Sequence, residues 1–215
     1  VTIVGTPQIK SSGIDGSYKT GYAIAGTYDI EFTKAGYYPK TISNITLKND
    51  SLSNLSVELR PMTTVSFSGN IVDSSTQLGV ENAIIEIRND TFNHISYSNN
   101  DGTYSVANIF PGSYEVIVGK WGYKTKGDTI QISNSVFTQK YELSEGYYDD
   151  FALDFDWNIT ANASTGNWER GIPNGTYYQG AWLQADEDVE NDISNYAYVT
   201  GNQGQDYYDD DIDDG

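Results

Sequence analysis

The segment Asp101-Gly102-Thr103-Tyr104 matches an earlier one, Asp15-Gly16-Ser17-Tyr18, at an offset of 86 residues (101 − 15). Two more pairs share that offset: Gly26-Thr27-Tyr28 with Gly112-Ser113-Tyr114, and Gly36-Tyr37 with Gly122-Tyr123. Three matches in one register are not expected by chance, so the first two thirds of the chain holds two copies of one module. A module that is used twice, with no catalytic constellation inside it, is usually a spacer or a binding unit.

Around these landmarks apolar and polar residues alternate, which is typical of half-buried β-strands, and helix signals are nearly missing. Turn-forming clusters, such as residues 99–102 and Pro111-Gly112, separate the alternating segments. This spacing predicts an all-β sandwich. In the second module we predict strands near residues 65–72, 83–88, 103–106, 114–118, 129–133 and 137–143.

The second module resembles the carboxypeptidase regulatory-like domain, which is a transthyretin-like (Ig-like) β-sandwich. The resemblance rests on the pattern Gly69-x-Ile71-x-Asp73, Ala83-x-Ile85, Asp101-Gly102-x-Tyr104, Pro111-Gly112-x-Tyr114 and Gly122-Tyr123. It implies tandem sandwiches of the kind found in secreted bacterial proteins, where the module itself is non-catalytic.

The resemblance covers residues 62–144 in full (repeat two) and residues 1–61 without the first strand (repeat one). Repeat one opens on Val1-Thr2-Ile3-Val4, which matches the second strand of repeat two. We therefore expect an unpaired sheet edge beside that strand, where a strand from another chain could add. The alternative is that this segment was cut from a longer chain, whose flanking residues complete the repeat.

Residues 145–215 resemble the front part of a jelly-roll domain of secreted bacterial surface proteins. The matching segments are Asn167-Trp168-Glu169-Arg170-Gly171-Ile172-Pro173, Tyr198-Val199-Thr200-Gly201-Asn202 and Asp209-Asp210-Asp211-Ile212-Asp213-Asp214-Gly215. The strands that normally follow the acidic motif are not in the sequence, so we expect a partial jelly-roll. The chain opens on Val1 without a signal peptide, and we expect a mature or excised segment.

Charge is distributed unevenly over a net of −18. Residues 1–144 carry 13 acidic and 11 basic residues, a net of −2, whereas residues 145–215 carry 17 acidic residues and one basic residue, a net of −16. Such a block repels nucleic acid and anionic membranes. Cysteine is absent, which excludes disulfides and thiolate metal sites, and no apolar run is long enough for a membrane span.

The acidic block predicts calcium binding, because calcium takes about six to eight oxygen ligands and would relieve the repulsion among carboxylates. Alternate residues of an extended segment point to one side, which would group the aspartates of the C-terminal motif. The alternative is a solvated acidic loop. The candidate ligands are Asp186, Asp188, Asp209, Asp211, Asp213 and Asp214.

No catalytic set emerges from the sequence. His94 is the only histidine, we expect it in a loop, and it has no acidic residue at a metal-ligand spacing. A zinc site of the carboxypeptidase kind would need two histidines and a glutamate. We therefore predict that the chain is not an enzyme.

Glycosylation signals are dense. Asparagine sequons occur at Asn44, Asn49, Asn54, Asn89, Asn158, Asn162 and Asn174, and a short O-glycan pattern of some secreting bacteria occurs at Ser51 and Thr129. Together they favour a surface-exposed protein.

Three classes of function remain open. The first is a non-catalytic structural module of an extracellular bacterial surface protein or fibre, whose partners are copies of itself or other surface-protein domains. The second is an accessory region of a secreted hydrolase, such as a zinc carboxypeptidase. The third is a carbohydrate-binding module that uses exposed aromatic residues such as Trp121, Tyr177-Tyr178 or Trp182.

Overall fold

The computed structural model describes residues 1–133, 135–160 and 166–202. These residues form fourteen β-strands and no helix, so the chain is all-β, as its sequence predicts. Among them, no helix is long and apolar enough to cross a membrane. The chain divides into two compact units, Val1–Thr64 and Val65–Gly215.

Repeat two is a sandwich of two sheets with the strand orders β10-β4-β7 and β6-β5-β8-β9. Strand β10 runs parallel to β4, and all other neighbours are antiparallel. The strands are β4 (Val65–Asp73), β5 (Ile84–Arg88), β6 (Asn93–Tyr97), β7 (Thr103–Ile109), β8 (Gly112–Gly119), β9 (Lys126–Ile132) and β10 (Phe137–Leu143).

The core of repeat two lies between the sheets, because every second residue of a strand points to the same face. Phe67 and Ile71 of β4 are buried against Ile85 and Ile87 of β5. Each such side chain contributes about 1.5–3 kcal/mol when it is removed from water. The alternation that predicts the strands also supplies the core.

Repeat one contains a single sheet, β1-β2-β3, formed by β1 (Thr2–Ile3), β2 (Gly26–Phe32) and β3 (Lys40–Leu47). It corresponds to β5-β8-β9 of repeat two. The register agrees in the second half of β2, where Glu31 lies opposite Thr41 as Ile117 lies opposite Gly127, and it shifts by one residue before the irregularity between Tyr28 and Ile30. The two repeats therefore share a strand order and part of its register.

The place of the absent first strand differs from the sequence prediction, which put a free edge beside the second strand. That prediction is wrong, because β4 pairs with β7 and β10 and not with β5. In repeat one the counterpart of β4 would be the central strand of the other sheet. Local sequence does not reveal this arrangement, because β4 pairs in parallel with β10, which lies far along the chain.

Strand β6 is a second difference. The sequence analysis predicted no strand there and placed His94 in a loop, which is wrong. His94 lies within β6, opposite Ile87 of β5. The sequence does not indicate this strand clearly, because three of its residues, Asn93, His94 and Ser96, are polar. Such residues are tolerated there because β6 lies at the edge of its sheet and its inner face is only weakly apolar.

Residues 146–202 belong to the same compact unit as repeat two. They form two short antiparallel ladders, and the predicted boundaries at 61/62 and 144/145 stay predictions. The ladders pair β11 (Trp168–Gly171) with β14 (Ala197–Thr200), and β12 (Thr176–Tyr178) with β13 (Ala181–Gln184). Ala152 and Leu153 are buried against Ile117, on the face of β8 that points away from the sandwich core.

Candidate functional site

The Asp-Gly turn has the same hydrogen bonds in both repeats. One carboxylate oxygen of Asp15 accepts hydrogen bonds from the Ser17 hydroxyl (2.8 Å) and the Ser17 backbone N–H (3.0 Å). Asp101 accepts the same pair from Thr103, at 2.6 and 3.0 Å. These bonds, the hydroxyl's first, lower the pKa of both carboxyls below the usual value. The turn aspartates thus stabilise the scaffold.

Two tyrosine hydroxyls in each repeat donate to backbone carbonyls at corresponding positions. Because all four acceptors are main-chain oxygens, these hydroxyls fix strands and are not free to bind a ligand. The bonds run from Tyr28 to Ile24 (3.0 Å) and Tyr114 to Phe110 (2.9 Å), and from Tyr18 to Leu55 (2.9 Å) and Tyr104 to Gln139 (2.8 Å).

Asp73 ends β4 and is 5% exposed. One of its oxygens accepts four hydrogen bonds, from the hydroxyls and backbone N–H groups of Ser75 and Thr76, at 2.6–2.9 Å. These donors, led by the Ser75 hydroxyl, lower its pKa to about 2. This carboxylate closes the turn after β4.

His94 is half-buried, and its ring stacks on Phe92 with 6.5 Å between the ring centroids. Its Nε2 is buried without a hydrogen-bond partner. Within residues 1–133, 135–160 and 166–202, no three histidine, cysteine or acidic side chains come together as a metal site would require. Among the described residues, His94 therefore has no partner side chains with which to bind a metal ion.

The predicted calcium ligands divide into two groups. Asp209, Asp211, Asp213 and Asp214 lie outside the described residues. Asp186 and Asp188 follow β13, with Asp186 exposed and Asp188 half-buried.

Asp188 interacts with a second carboxylate, that of Asp192. Asp188 Oδ2 and Asp192 Oδ1 are both buried without a hydrogen-bond partner. Desolvation, and then the charge of Asp188, raise the pKa of Asp192. Desolvation likewise raises the pKa of the buried Asp150. The signal in the sequence was the density of aspartates, but their convergence depends on the fold of the segment.

Arg170, the single basic residue of the acidic block, joins its parts. Its Nε donates to the carbonyl of Phe151 (2.7 Å) and its terminal nitrogen to that of Ala152 (2.8 Å). The guanidinium also lies over the ring of Tyr196, 4.2 Å from the centroid. It links β11 to the segment that packs on β8.

A cavity of about 540 Å³ lies among the short ladders of this segment. Exposed Trp168 and Leu183 give it an apolar side, while Glu187 and Asp188 give it an acidic side. Such a lining suits a ligand with both apolar and hydroxyl or cationic groups.

Exposed aromatic side chains form a second feature of the surface. The ring of Trp121 makes edge contacts with Tyr147 (5.8 Å between centroids) and Trp157 (5.3 Å). All three rings are about half exposed or more. The indole N–H of Trp157 donates to Asp149 at 2.6 Å. Tyr177 and Trp182, also put forward from the sequence, contact each other at 5.0 Å.

The predicted glycosylation residues are exposed wherever the structure describes them, and Asn162 lies outside the described residues. Asn89 differs from the others, because its side-chain amide donates to Ser113 and its oxygen accepts from the backbone N–H groups of Thr91 and Phe92. Its side chain is therefore already bound in a turn. The exposed set is Asn44, Asn49, Ser51, Asn54, Asn89, Thr129, Asn158 and Asn174.

No known family matches the chain, and neither does any curated protein. Among solved structures, a putative carbohydrate-binding protein from Bacteroides uniformis is 18% identical, with a TM-score of 0.33 over 37% of this chain and 40% of that one. The 5-hydroxyisourate hydrolase of Klebsiella pneumoniae is 14% identical, with a TM-score of 0.33 over 38% of this chain and 91% of that one.

A streptococcal ancillary pilin is 16% identical, with a TM-score of 0.39 over 57% of this chain and 42% of that one. The chain thus matches less than half the length of the carbohydrate-binding protein and of the pilin. All three TM-scores lie below 0.5, and the all-β fold described above rests on the strand order and register of this chain.

Proposed function

We propose that the chain is a non-catalytic structural module of an extracellular bacterial surface protein or fibre. One observation carries the proposal: the aspartates and tyrosines of the repeated Asp-Gly-x-Tyr and Gly-x-Tyr landmarks bond within turns or to main-chain carbonyls. A duplicated enzyme would be expected to retain a reactive set in at least one repeat. Here duplication preserved the scaffold.

Three finer elements belong to the proposal. Calcium stiffens the acidic block, with Asp186, Asp188 and the aspartates at 209, 211, 213 and 214 as ligands. The unpartnered oxygens of Asp188 and Asp192 support this element, since a cation would offset their mutual repulsion. The second element is a coat of glycans on the exposed sequons. The third is polymerisation, in which chains exchange strands head to tail.

The location is tested by labelling intact producing bacteria with antibodies against residues 62–144, with an antibody to a cytoplasmic protein as control. We expect labelling of intact cells and its loss after external protease. Signal only after the cells are broken would overturn the proposal. The accessory-region alternative predicts a catalytic domain, with zinc-ligating histidine and glutamate residues, in the same gene product.

Calcium binding is tested on the full chain by comparing amide hydrogen exchange with added calcium and with a chelator. We expect the chelator to speed amide exchange within residues 146–202 and to leave repeat two nearly unchanged, because only the acidic block needs counter-charge. Identical exchange under both conditions would remove calcium from the proposal.

Carbohydrate binding is a second candidate, favoured by the aromatic cluster of Trp121, Tyr147 and Trp157. Exposed rings with a neighbouring carboxylate suit the apolar face and the hydroxyls of a sugar. A glycan array should then show binding that Trp121→Ala abolishes. Tyr97→Ala is the matched control, because Tyr97 is another exposed aromatic residue, 59% exposed on β6, and is not one of the three clustered rings. An array without hits excludes this candidate.

A further inference from the structure

The cavity of about 540 Å³ lies between the two short ladders, and we call it the ladder cavity. The ladder β11-β14 contributes Trp168 and Thr200 to its lining, and the ladder β12-β13 contributes Leu183 and Gln184. Three residues of the segment after β13, at positions 187–189, complete one side. Cavities of about 300–1,000 Å³ are the usual size of small-ligand sites.

Side-chain hydrogen bonds hold the two ladders together. The Thr200 hydroxyl of β14 donates to Gln184 Oε1 of β13 at 3.3 Å. Asn202, just after β14, accepts from the Asn174 backbone N–H at 2.8 Å and donates to the Ile172 carbonyl at 2.7 Å. These bonds join the last strand to the connection between β11 and β12. A ligand therefore meets walls that are already in place, which favours binding.

The segment after β13 is fixed where it meets the start of β12. A Cβ atom added at Gly175 would lie 2.6–2.7 Å from the backbone N, Cα and Cβ atoms of Asp186. Only a glycine allows this approach of the two segments. The contact positions the next two residues, Glu187 and Asp188, at the ladder cavity.

The charge on the ladder cavity is negative. Glu187 and Asp188 belong to its lining, and no described lining residue is basic. Within the described part of the chain neither carboxylate forms a salt bridge, and Asp188 Oδ2 has no hydrogen-bond partner. Arg170, the single basic residue of the acidic block, is bonded to the carbonyls of Phe151 and Ala152. The two carboxylates of the cavity therefore lack a counter-charge from this segment.

Large apolar side chains line the same cavity. Trp168 is 47% exposed and Leu183 is 61% exposed, so both keep surface that a ligand can cover. An indole ring attracts a cation that lies within about 6 Å of its centroid more strongly than other aromatic rings do. An aliphatic chain that ends in an ammonium group matches both features, since its stem covers apolar surface while its head stays beside charge. A neutral sugar would leave the carboxylates without a counter-charge.

We propose that the ladder cavity binds a protonated amine on an aliphatic chain, the chemistry of a lysine side chain. The ammonium group lies beside Glu187 and Asp188, and the chain lies against Trp168 and Leu183. Two sources offer this chemistry, a lysine of a partner protein and a free alkylamine, and the test separates them. The inference goes beyond the proposed surface role. Asp188 is also a proposed calcium ligand, so the two ligands are tested apart.

The test follows the amide resonances of the full chain, in the presence of a chelator, while three probes are added. The probes are a capped glycine-lysine-glycine peptide, pentylamine, and a capped glycine-norleucine-glycine peptide, which keeps the aliphatic chain but lacks the amine. We expect saturable shifts confined to residues 183–189 and 197–200. The norleucine peptide should bind about tenfold more weakly than the lysine peptide, because it loses the contact with the indole and the charge pairing. Tighter binding of the lysine peptide than of pentylamine identifies a partner protein as the source, and equal binding identifies a free amine.

Two variants of equal charge complete the test. Glu187→Gln removes a carboxylate of the cavity and should weaken binding of the lysine peptide about threefold to tenfold. Glu190→Gln removes the same charge from an exposed residue outside the lining and should change binding by less than about twofold. Trp168→Ala should weaken binding about fivefold. If Trp168→Ala disrupts the ladders, as their amide resonances would show, the two glutamine variants still decide the matter.

Absence of saturable binding, or equal binding of the lysine and norleucine peptides, overturns the inference. So does equal weakening by the two glutamine variants, which would mean attraction to the acidic block as a whole. Binding that requires added calcium overturns it as well. Surface labelling and the effect of calcium on amide exchange are measured independently, so each proposal can fail without the others.

Discussion

Repeat one and repeat two share the Asp-Gly turn, the tyrosine hydrogen bonds and the antiparallel strand orders β1-β2-β3 and β5-β8-β9, yet among the described residues only repeat two has a second sheet. The difference lies in one strand. Without a counterpart of β4, residues 17–23 and 53–59 take up the positions of strands but form no ladder. Turn and side-chain bonds thus define the outline of the module, whereas the central strand supplies the pairing that makes it a sandwich.

The largest expected effect comes from disturbing that strand in repeat two. Gly69→Val should destabilise repeat two by about 4 kcal/mol or more, because the new side chain meets the main chain of β10. Hydrogen exchange should show lost protection in β4, β7 and β10, with β2 and β3 unchanged. Gly21→Val in repeat one is the control, since a Cβ there meets nothing within 4 Å. Equal losses in both repeats would refute the assigned role of β4.

A smaller effect is expected from the tyrosines. Tyr104 is 3% exposed, and Tyr104→Phe leaves the Gln139 carbonyl without its donor, which should cost about 1–2 kcal/mol. Tyr18→Phe should cost less, about 0.5 kcal/mol, because water reaches the half-buried Tyr18. Local exchange in each repeat measures both, and Tyr97→Phe on the exposed face of β6 serves as the control. A larger loss for Tyr18→Phe than for Tyr104→Phe would contradict this ordering by burial.

The smallest effect concerns acid. The pKa of Asp73 is about 2 in the folded state, below its usual 3.8. A lowered pKa gives stability that is present above the unfolded value and is lost as the pH falls through the folded one. Urea unfolding of Asp73→Asn should therefore differ from wild type at pH 7 and converge with it between pH about 4 and about 2.

The Asp73 contribution should appear in the exchange of repeat two, where the turn after β4 lies. Asp15→Asn and Asp101→Asn should weaken the two repeats alike, because both turn carboxylates have the same two donors. Convergence of Asp73→Asn with wild type only above pH 5 would contradict the lowered pKa.

Much of the fold could be predicted from the sequence because its signals are local. Alternation located β4, β5 and β7–β10 to within a few residues, and the constant offset revealed the repeat. The partner of β4 could not be predicted, since strand order depends on pairing between distant segments such as Gly69 and Gln139. Strand β6 was not predicted because its half-buried residues, His94 and Ser96, are polar, and its apolar residues are exposed.

For the candidate sites, the sequence predicted which residue types are concentrated in a segment, but not which side chains meet. The excess of aspartates marked residues 145–215, but the meeting of Asp188 with Asp192 depends on how the chain returns after β13. The aromatic cluster likewise required the fold, since Trp121 and Trp157 belong to different segments. The sequons can be recognised from the sequence alone, whereas the hydrogen bond from the Asn89 amide to the Ser113 carbonyl is seen only in the structure.

The parallel pairing of β4 with β10 has a mechanical consequence. The chain enters repeat two at Val65 and leaves after Leu143, and these two points are the opposite ends of one parallel ladder of seven residue pairs, from Phe137 with Phe67 to Leu143 with Asp73. Tension along the polypeptide therefore shears that ladder, so that its hydrogen bonds bear the load together and do not open one after another. Repeat two resists stretching along the chain for this reason.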